Sequence, residues 1–159
     1  MNVPLRAVAV VIKDNKILLM ERVRKGKHYF AFIGGGVHEG ENIETAVERE
    51  VLEEASLQVR AEKLLYKILY DKPFRRRSGQ IVYLCTYLSG NPELGDGNER
   101  EIMSTKTNNY FKPRWIELKE LPHLTAYPIE VRDWVLEDIK SNFSNDVRQI
   151  QIKIEELKR

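Results

Sequence analysis

Cysteine is almost absent from this 159-residue chain, which contains only Cys85. A single thiol has no partner for a disulfide within the chain. It lies in the apolar run of residues 81–88, so we expect a buried, small hydrophobic side chain. A protein without internal disulfides suits a reducing compartment, and we expect a cytoplasmic location.

Long apolar runs and an excess of one charge are also absent. Residues 1–15 lack the charged start and cleavage site of a signal peptide, and their apolar run is too short and interrupted to span a membrane. The 26 Lys and Arg nearly balance the 24 Asp and Glu, for a formal charge of +2. This balance gives no global electrostatic footprint for nucleic acid. We therefore expect a protein that binds neither a membrane nor a nucleic acid polymer.

Internal repeats and low-complexity tracts are missing too, and the length suits one domain. We expect this domain to cover residues 1–143, followed by a tail at 144–159. The apolar residues of the tail fit either a helical stripe or the alternation of a strand. The stripe consists of Val147, Ile150, Ile154 and Leu157, and the alternating set of Ile150, Ile152 and Ile154. We prefer an amphipathic tail helix that packs on the domain or on a second subunit, as in a homodimer.

The chain does contain a glycine-rich turn followed by a helix with three carboxylates near its end. Glu50, Glu53 and Glu54 have i, i+3 and i+4 spacing, which places them on neighbouring turns of one helix face. At about 100° per residue they point nearly the same way as the apolar Ile43 and Val47. A glutamate-rich helix is ordinarily a solvated surface helix. Acids at a partly buried face, however, are tolerable mainly when a cation neutralises them, and oxygen ligands favour Mg²⁺, Mn²⁺ or Ca²⁺ over Zn²⁺.

Residues 35–57, GGVHEGENIETAVEREVLEEASL, resemble the Nudix box, the signature of hydrolases that cleave nucleoside diphosphates linked to another group. The matching positions are Gly35, Glu41, Arg49, Glu50, Val51, Glu53, Glu54 and Leu57. One position departs, because Ser56 stands where the pattern has glycine. That glycine follows the helix, where a left-handed residue often forms the C-cap. The departure lies outside the metal ligands, so it affects the turn rather than the chemistry.

The resemblance implies both a fold and a metal site. The fold would be an α/β/α sandwich with a mixed β-sheet and the Nudix loop–helix–loop. Glu50, Glu53 and Glu54 would be the principal ligands of Mg²⁺ or Mn²⁺. The carbonyl of Gly34, the residue before the box, would be a further ligand.

Catalytic roles are also implied by the resemblance. Arg49 would orient one of the acids through a charge-assisted hydrogen bond, and Glu41 would bind through water or brace the loop. The general base would come from the box acids or from Glu99 or Glu101, two acids in the polar stretch of residues 91–109. The catalytic set is Glu53, Arg49 and Glu50.

Two further features could contact a substrate. Three consecutive glycines, Gly34 to Gly36, let the backbone approach a ligand closely. Phe74 is followed by three arginines, an arrangement that suits base stacking and phosphate pairing, although an exposed hairpin loop is the default explanation. The predicted substrate-binding residues are Gly35, Gly36, Glu41, Arg75, Glu99 and Glu101.

The expected elements follow from apolar patterning and turn chemistry. A hairpin is predicted at residues 6–13 and 16–22, further strands at 28–33, 57–70, 80–88 and 110–118, and a helix at 42–55 with Asn42 as its N-cap. Pro128 is predicted to be the first residue of a C-terminal helix.

We expect cleavage of the pyrophosphate linkage of a nucleoside diphosphate derivative, such as a nucleoside triphosphate, with Mg²⁺ or Mn²⁺ as cofactor. The alternative is a sensor domain that binds a nucleotide or nucleotide sugar without hydrolysing it. A third possibility is an interaction module that acts through its tail. The pattern does not distinguish nucleoside triphosphates, including oxidised ones, from dinucleoside polyphosphates or nucleotide sugars.

Overall fold

A mixed sheet forms the centre of the computed structural model, which describes residues 3–93 and 109–157. Its strands are β1 (Arg6–Lys13), β2 (Lys16–Arg24), β3 (Lys27–Ala31), β4 (Gly34–Gly36), β5 (Gln58–Phe74), β6 (Arg77–Ser89), β7 (Tyr110–Glu117), β8 (Ala126–Tyr127) and β9 (Arg148–Ile152). The α-helices are α1 (Ile43–Ala55) and α2 (Ile129–Asp138). Short 3₁₀ turns lie at Leu118–His123, Ile139–Ser141 and Ile154–Leu157.

The strand order is β8-β3-β2-β1-β6-β5-β9, and β4 and β7 pair additionally with β1 and β2. β1 runs parallel to β6, β3 to β8 and β5 to β9, whereas the other pairs are antiparallel. The sheet is therefore mixed, as expected. The start of β1 lies between β4 and β6, which brings the glycines of β4 close to the β5–β6 hairpin.

Two apolar cores lie on opposite faces of the sheet. α1 packs on one face through Ala46, Val47 and Val51, and α2 packs on the other through Val131 and Val135. This arrangement confirms the predicted α/β/α sandwich. Neither described helix has the length and apolar character needed to cross a membrane.

Cys85 is buried on the α1 face, as predicted. Burial is the main reason why the pKa of its thiol rises to about 12. The thiol therefore stays protonated and unreactive at neutral pH.

Both ends of α1 are capped. The Asn42 side chain accepts a hydrogen bond from the Thr45 amide at 2.8 Å, as predicted for an N-cap. Ser56 adopts a left-handed conformation with φ 60°, and its amide bonds to the Leu52 carbonyl. Serine therefore forms the C-cap that glycine provides in the family pattern, with backbone strain on the order of 1 kcal/mol.

The hairpin between β5 and β6 is longer than predicted. Its strands continue to a two-residue turn in which Arg75 and Arg76 have φ values of 50° and 65°, and Phe74 pairs with Arg77. Gly79 lies inside β6, and an added Cβ there would meet the Ile68 carbonyl at 2.5 Å, which explains why glycine stands at this position.

Two predictions near the C-terminus are wrong. Pro128 has extended ψ, 138°, and precedes α2 as its N-cap rather than opening it. The tail is a strand: β9 pairs in parallel with β5, so the alternating isoleucines decide its structure. The physical reason is a buried charge, because Arg148 of β9 binds the Asp138 carboxylate at the end of α2. Only the 3₁₀ turn Ile154–Leu157 of the described tail is helical.

Candidate active site

The glycines of β4 are packed against three different neighbours. A Cβ on Gly34 would overlap the Ala7 carbonyl, one on Gly35 would overlap the Glu50 carboxylate, and one on Gly36 would lie 2.8 Å from Arg77 Nη2. Close approach, rather than turn geometry, therefore accounts for the glycines, most strictly at Gly34, where the neighbour is backbone.

A cleft of about 530 Å³ opens beside this glycine strand. Its lining residues are Pro4, Gly34, Gly35, Gly36, Val37, His38, Arg49, Glu50, Glu53, Glu54 and Arg77. The three glutamates predicted from the i, i+3, i+4 spacing thus meet in one cleft with the three predicted glycines.

Arg49 uses its whole guanidinium to bind neighbouring oxygens. It donates to both carboxylate oxygens of Glu41, at 2.8 and 2.9 Å, and to the Gly36 carbonyl at 2.9 Å. It also donates to Glu50 Oε1 at 2.8 Å and to Glu53 Oε2 at 3.2 Å. Arg49 therefore ties the loop, the glycine strand and two of the acids together.

Glu41 binds Arg49 and so helps to hold the loop in place, and it is not among the residues that line the cleft. Its Oε1 also accepts a hydrogen bond from the His38 amide at 3.0 Å. The hydrogen bonds from Arg49 are the largest cause of the fall in the Glu41 pKa to about 2. The bracing role predicted for Glu41 fits these contacts, whereas direct contact with a substrate in the cleft does not.

The acids of the cleft differ in exposure. Glu50 is buried, with 7% of its surface exposed, whereas the Glu53 side chain is 48% exposed. Burial raises the pKa of Glu50, and the hydrogen bond and charge of Arg49 oppose this rise only in part. A cation in the cleft would favour the ionised form of Glu50 and relieve the cost of its burial.

The donor set of the cleft suits a hard cation. Its donors are carboxylate oxygens and backbone carbonyls, which Mg²⁺ and Mn²⁺ prefer. Within residues 3–93 and 109–157, no three acidic, His or Cys side chains already converge at metal-binding distance. Arg49 joins Glu50 to Glu53 in this structure, so a bound ion would have to draw the exposed Glu53 side chain toward the other acids.

The Gly34 carbonyl lies beside an arginine. Arg6 Nη2 is 3.4 Å from this oxygen and 3.4 Å from the Phe32 carbonyl, and Arg6 Nη1 donates to Gln80 at 3.1 Å. Burial is the main cause of the fall in the Arg6 pKa to about 10, and the charge of Arg22 adds to it. A cation would compete with Arg6 for the Gly34 oxygen, so this ligand stays a prediction.

The β5–β6 hairpin contributes a different arginine from the one predicted. Arg75 is exposed, stacks on Phe74 at 5.2 Å and is not among the cleft-lining residues, whereas Arg77 is. The run of three arginines after Phe74 marks the segment that reaches the cleft. Which of the three side chains enters it depends on the position of the turn, at Arg75 and Arg76. Glu99 and Glu101 lie outside the described residues.

Comparisons with known proteins identify the family of this chain. A profile described as NUDIX domain matches residues 3–136. An ADP-ribose pyrophosphatase of Methanocaldococcus jannaschii is 38% identical over 91 residues, which cover 55% of this chain and 53% of that protein. An RNA pyrophosphohydrolase of Pelagibacter ubique is 27% identical over 155 residues, which cover 87% and 91%. The match thus spans about half the length of the archaeal relative.

A solved structure shows the same fold. The crystal structure of a NUDIX hydrolase from Nitrosomonas europaea superposes with a TM-score of 0.68 at 16% identity, over 96% of this chain and 81% of that one. This similarity confirms the predicted fold class.

Proposed function

Since this chain belongs to the NUDIX family, we propose that it is a metal-dependent hydrolase that cleaves the pyrophosphate linkage of a nucleoside diphosphate derivative, such as a nucleoside triphosphate. One observation carries the proposal: Glu50, Glu53 and Glu54 line the same cleft as a strand of three glycines. Carboxylates can hold a divalent cation there, and a bare backbone leaves room for a phosphate.

The three glutamates would hold Mg²⁺ or Mn²⁺, with the Gly34 carbonyl as an additional ligand. The ion would neutralise charge on the phosphate oxygens and lower the pKa of a water molecule. Arg49 occupies only one oxygen of Glu50 and one of Glu53, so each carboxylate keeps its second oxygen for a cation. Both roles require the acids to be ionised.

Arg49 would act by positioning these acids. All the donor atoms of its guanidinium are engaged with Glu41, Glu50, Glu53 and the Gly36 carbonyl. It is therefore poorly placed to bind a substrate phosphate, and its contribution is the orientation of Glu50 and Glu53.

The base that removes a proton from the attacking water would come from the acids of the cleft. Glu53 is our first choice, because it is exposed whereas Glu50 is buried and Glu54 half-buried, and because its second oxygen is not bound by Arg49. Glu99 and Glu101 remain candidates from sequence. The products would be a mononucleotide and the phosphate-bearing remainder of the substrate.

A substrate screen tests the proposal. The relatives' names put ADP-ribose and RNA among the compounds to try, and we choose RNA with a 5′-triphosphate because it contains a pyrophosphate linkage. An oxidised purine nucleoside triphosphate, a dinucleoside polyphosphate and a nucleotide sugar complete the set. Product release with Mg²⁺, abolished by chelation, is the expected result. Ligand-induced stabilisation without product release would instead support a nucleotide sensor.

Glu53→Gln gives the residue-level test. We expect its turnover to fall by at least about 100-fold, because the neutral amide loses both the negative charge and the basic oxygen. Glu44→Gln is the matched control, since Glu44 is an exposed acid of the same helix that bonds Tyr83 outside the cleft. Undiminished turnover by Glu53→Gln would refute the assignment.

A further inference from the structure

Among the residues that the structure describes, two arginines line the cleft, Arg49 and Arg77, and the proposed chemistry assigns a role only to Arg49. The Arg77 side chain lines the same cleft as Glu50, Glu53 and Glu54. Nη1 donates to the Arg76 carbonyl at 3.0 Å, which uses one of the five guanidinium donors. Arg49, by contrast, is engaged on every donor atom.

The glycine strand β4 lies between Arg77 and the Glu50 carboxylate. Successive strand positions face opposite sides, and accordingly Gly35 meets the Glu50 carboxylate whereas Gly36 meets the Arg77 guanidinium. Neighbouring Cα atoms are only about 3.8 Å apart. The Glu50 carboxylate and the Arg77 guanidinium therefore lie on opposite sides of one strand that carries no side chains.

The backbone holds Arg77 more firmly than the two arginines before it. Arg77 pairs with Phe74 as the first residue of β6, whereas Arg75 and Arg76 form the exposed turn. Arg77 is also half-buried. A guanidinium on a strand loses less freedom on binding than one at a loop tip, so it suits specific recognition.

A phosphate group is a good partner for Arg77, because the planar guanidinium can donate two parallel hydrogen bonds to two phosphate oxygens.

We infer that Arg77 binds a phosphate of the substrate on the side of the glycine strand away from the acids, and so orients the diphosphate across the strand. The inference rests on the proposed function for the identity of the substrate. Every class in the substrate screen contains the diphosphate that this arrangement would grip.

The test measures the binding of inorganic pyrophosphate in the presence of Mg²⁺ by titration calorimetry. Arg77→Ala should bind it at least about tenfold more weakly than the wild type, since a charge-assisted bidentate contact is lost. Arg76→Ala is the matched control, because it removes the same charge one residue away on the exposed turn, and its affinity should stay within about twofold.

Two controls separate a loss of phosphate binding from a loss of folding: the Arg77→Lys variant and the affinity of every variant for Mn²⁺. Arg77→Lys retains the positive charge but loses the paired donors of the guanidinium. Its affinity for pyrophosphate should therefore lie between those of the wild type and Arg77→Ala. Mn²⁺ affinity without pyrophosphate should be the same in all variants, which shows that the acidic cluster is intact.

The possible results separate the two proposals. Equal affinity in Arg77→Ala and wild type, equal losses in Arg77→Ala and Arg76→Ala, or no pyrophosphate binding by the wild type would overturn the role of Arg77. A wild type that hydrolyses nothing in the screen, while Arg77→Ala still loses pyrophosphate affinity, would refute the hydrolase and leave the phosphate site standing.

Discussion

At the scale of single residues, Gly35 leaves room for the Glu50 carboxylate, which occupies the space that a side chain at position 35 would fill. Glu50 in turn is held by Arg49 and has little room to move, since it is buried. The position of this acid therefore depends on a residue with no functional group of its own. Pre-organised sites commonly lose function when their supporting contacts shift by about 1 Å.

Gly35→Ala should lower Mn²⁺ affinity by at least about tenfold, because the new methyl group displaces the Glu50 carboxylate. Titration of the variant with Mn²⁺, followed by electron paramagnetic resonance, measures the effect. Unchanged affinity would contradict the requirement for glycine at this position.

Gly40→Ala provides the control for this substitution. Gly40 has φ 79° with no atom within 4 Å of an added Cβ, so alanine there is strained but unobstructed. We expect a loss of about 1 kcal/mol in the free energy of unfolding and no change in Mn²⁺ affinity.

At the scale of elements, the tail strand β9 is fastened to α2 by the Asp138 carboxylate. Asp138 is 3% exposed and accepts hydrogen bonds from Arg148 at 2.6 to 3.2 Å, from Asn145 at 2.8 Å and from Tyr66 at 2.9 Å. Burial raises the pKa of Asp138, but these hydrogen bonds outweigh it and bring the pKa below its usual 3.8. The carboxylate is therefore ionised at neutral pH and needs its cation.

Arg148→Ala should lower the free energy of unfolding by about 2–4 kcal/mol at pH 7, because it leaves a buried carboxylate without its counter-charge. A depressed pKa stabilises the fold above the unfolded-state value and loses that effect as pH falls. The difference between wild type and variant should therefore shrink below about pH 3.8. Urea denaturation at several pH values measures it.

Arg60→Ala is the comparison for this variant. Arg60 pairs with Glu62 at the surface, where the two side chains are 60% and 40% exposed. Such a pair contributes less than about 1 kcal/mol, so a similar loss in both variants would contradict a special role for the buried pair.

At the scale of the whole molecule, β1 joins the two cores. Val8 and Val10 point into the α2 side, and Ala7, Ala9 and Val11 into the α1 side. Neither core can lose its packing while β1 stays in place for the other. The structure therefore predicts one cooperative unfolding transition.

The two tryptophans report on the two cores separately. Trp115 packs against the α1 side, and Trp134 against the α2 side, where its ring lies 5.0 Å from that of Tyr66. In Trp115→Phe and in Trp134→Phe, the fluorescence of the remaining tryptophan should change at the same urea concentration as the far-ultraviolet circular dichroism. Separate midpoints within either variant would show that the cores unfold independently.

The sequence alone determined the local elements and the acidic part of the cleft. The i, i+3, i+4 spacing places Glu50, Glu53 and Glu54 on one face of α1 wherever that helix packs, and Asn42 caps it by a contact with Thr45, three residues away. These features depend on helix geometry and short-range contacts, so they could be predicted before the fold was known.

Only the tertiary structure decided which partners meet across the chain. The tail could form a helix or a strand by its own pattern, and the open edge of β5 and the buried charge of Asp138 selected the strand. In the same way, three consecutive arginines look equivalent in sequence, yet strand register sends Arg77 into the cleft and leaves Arg75 outside it. Contacts between distant residues depend on the register of the assembled sheet, which local propensity does not contain.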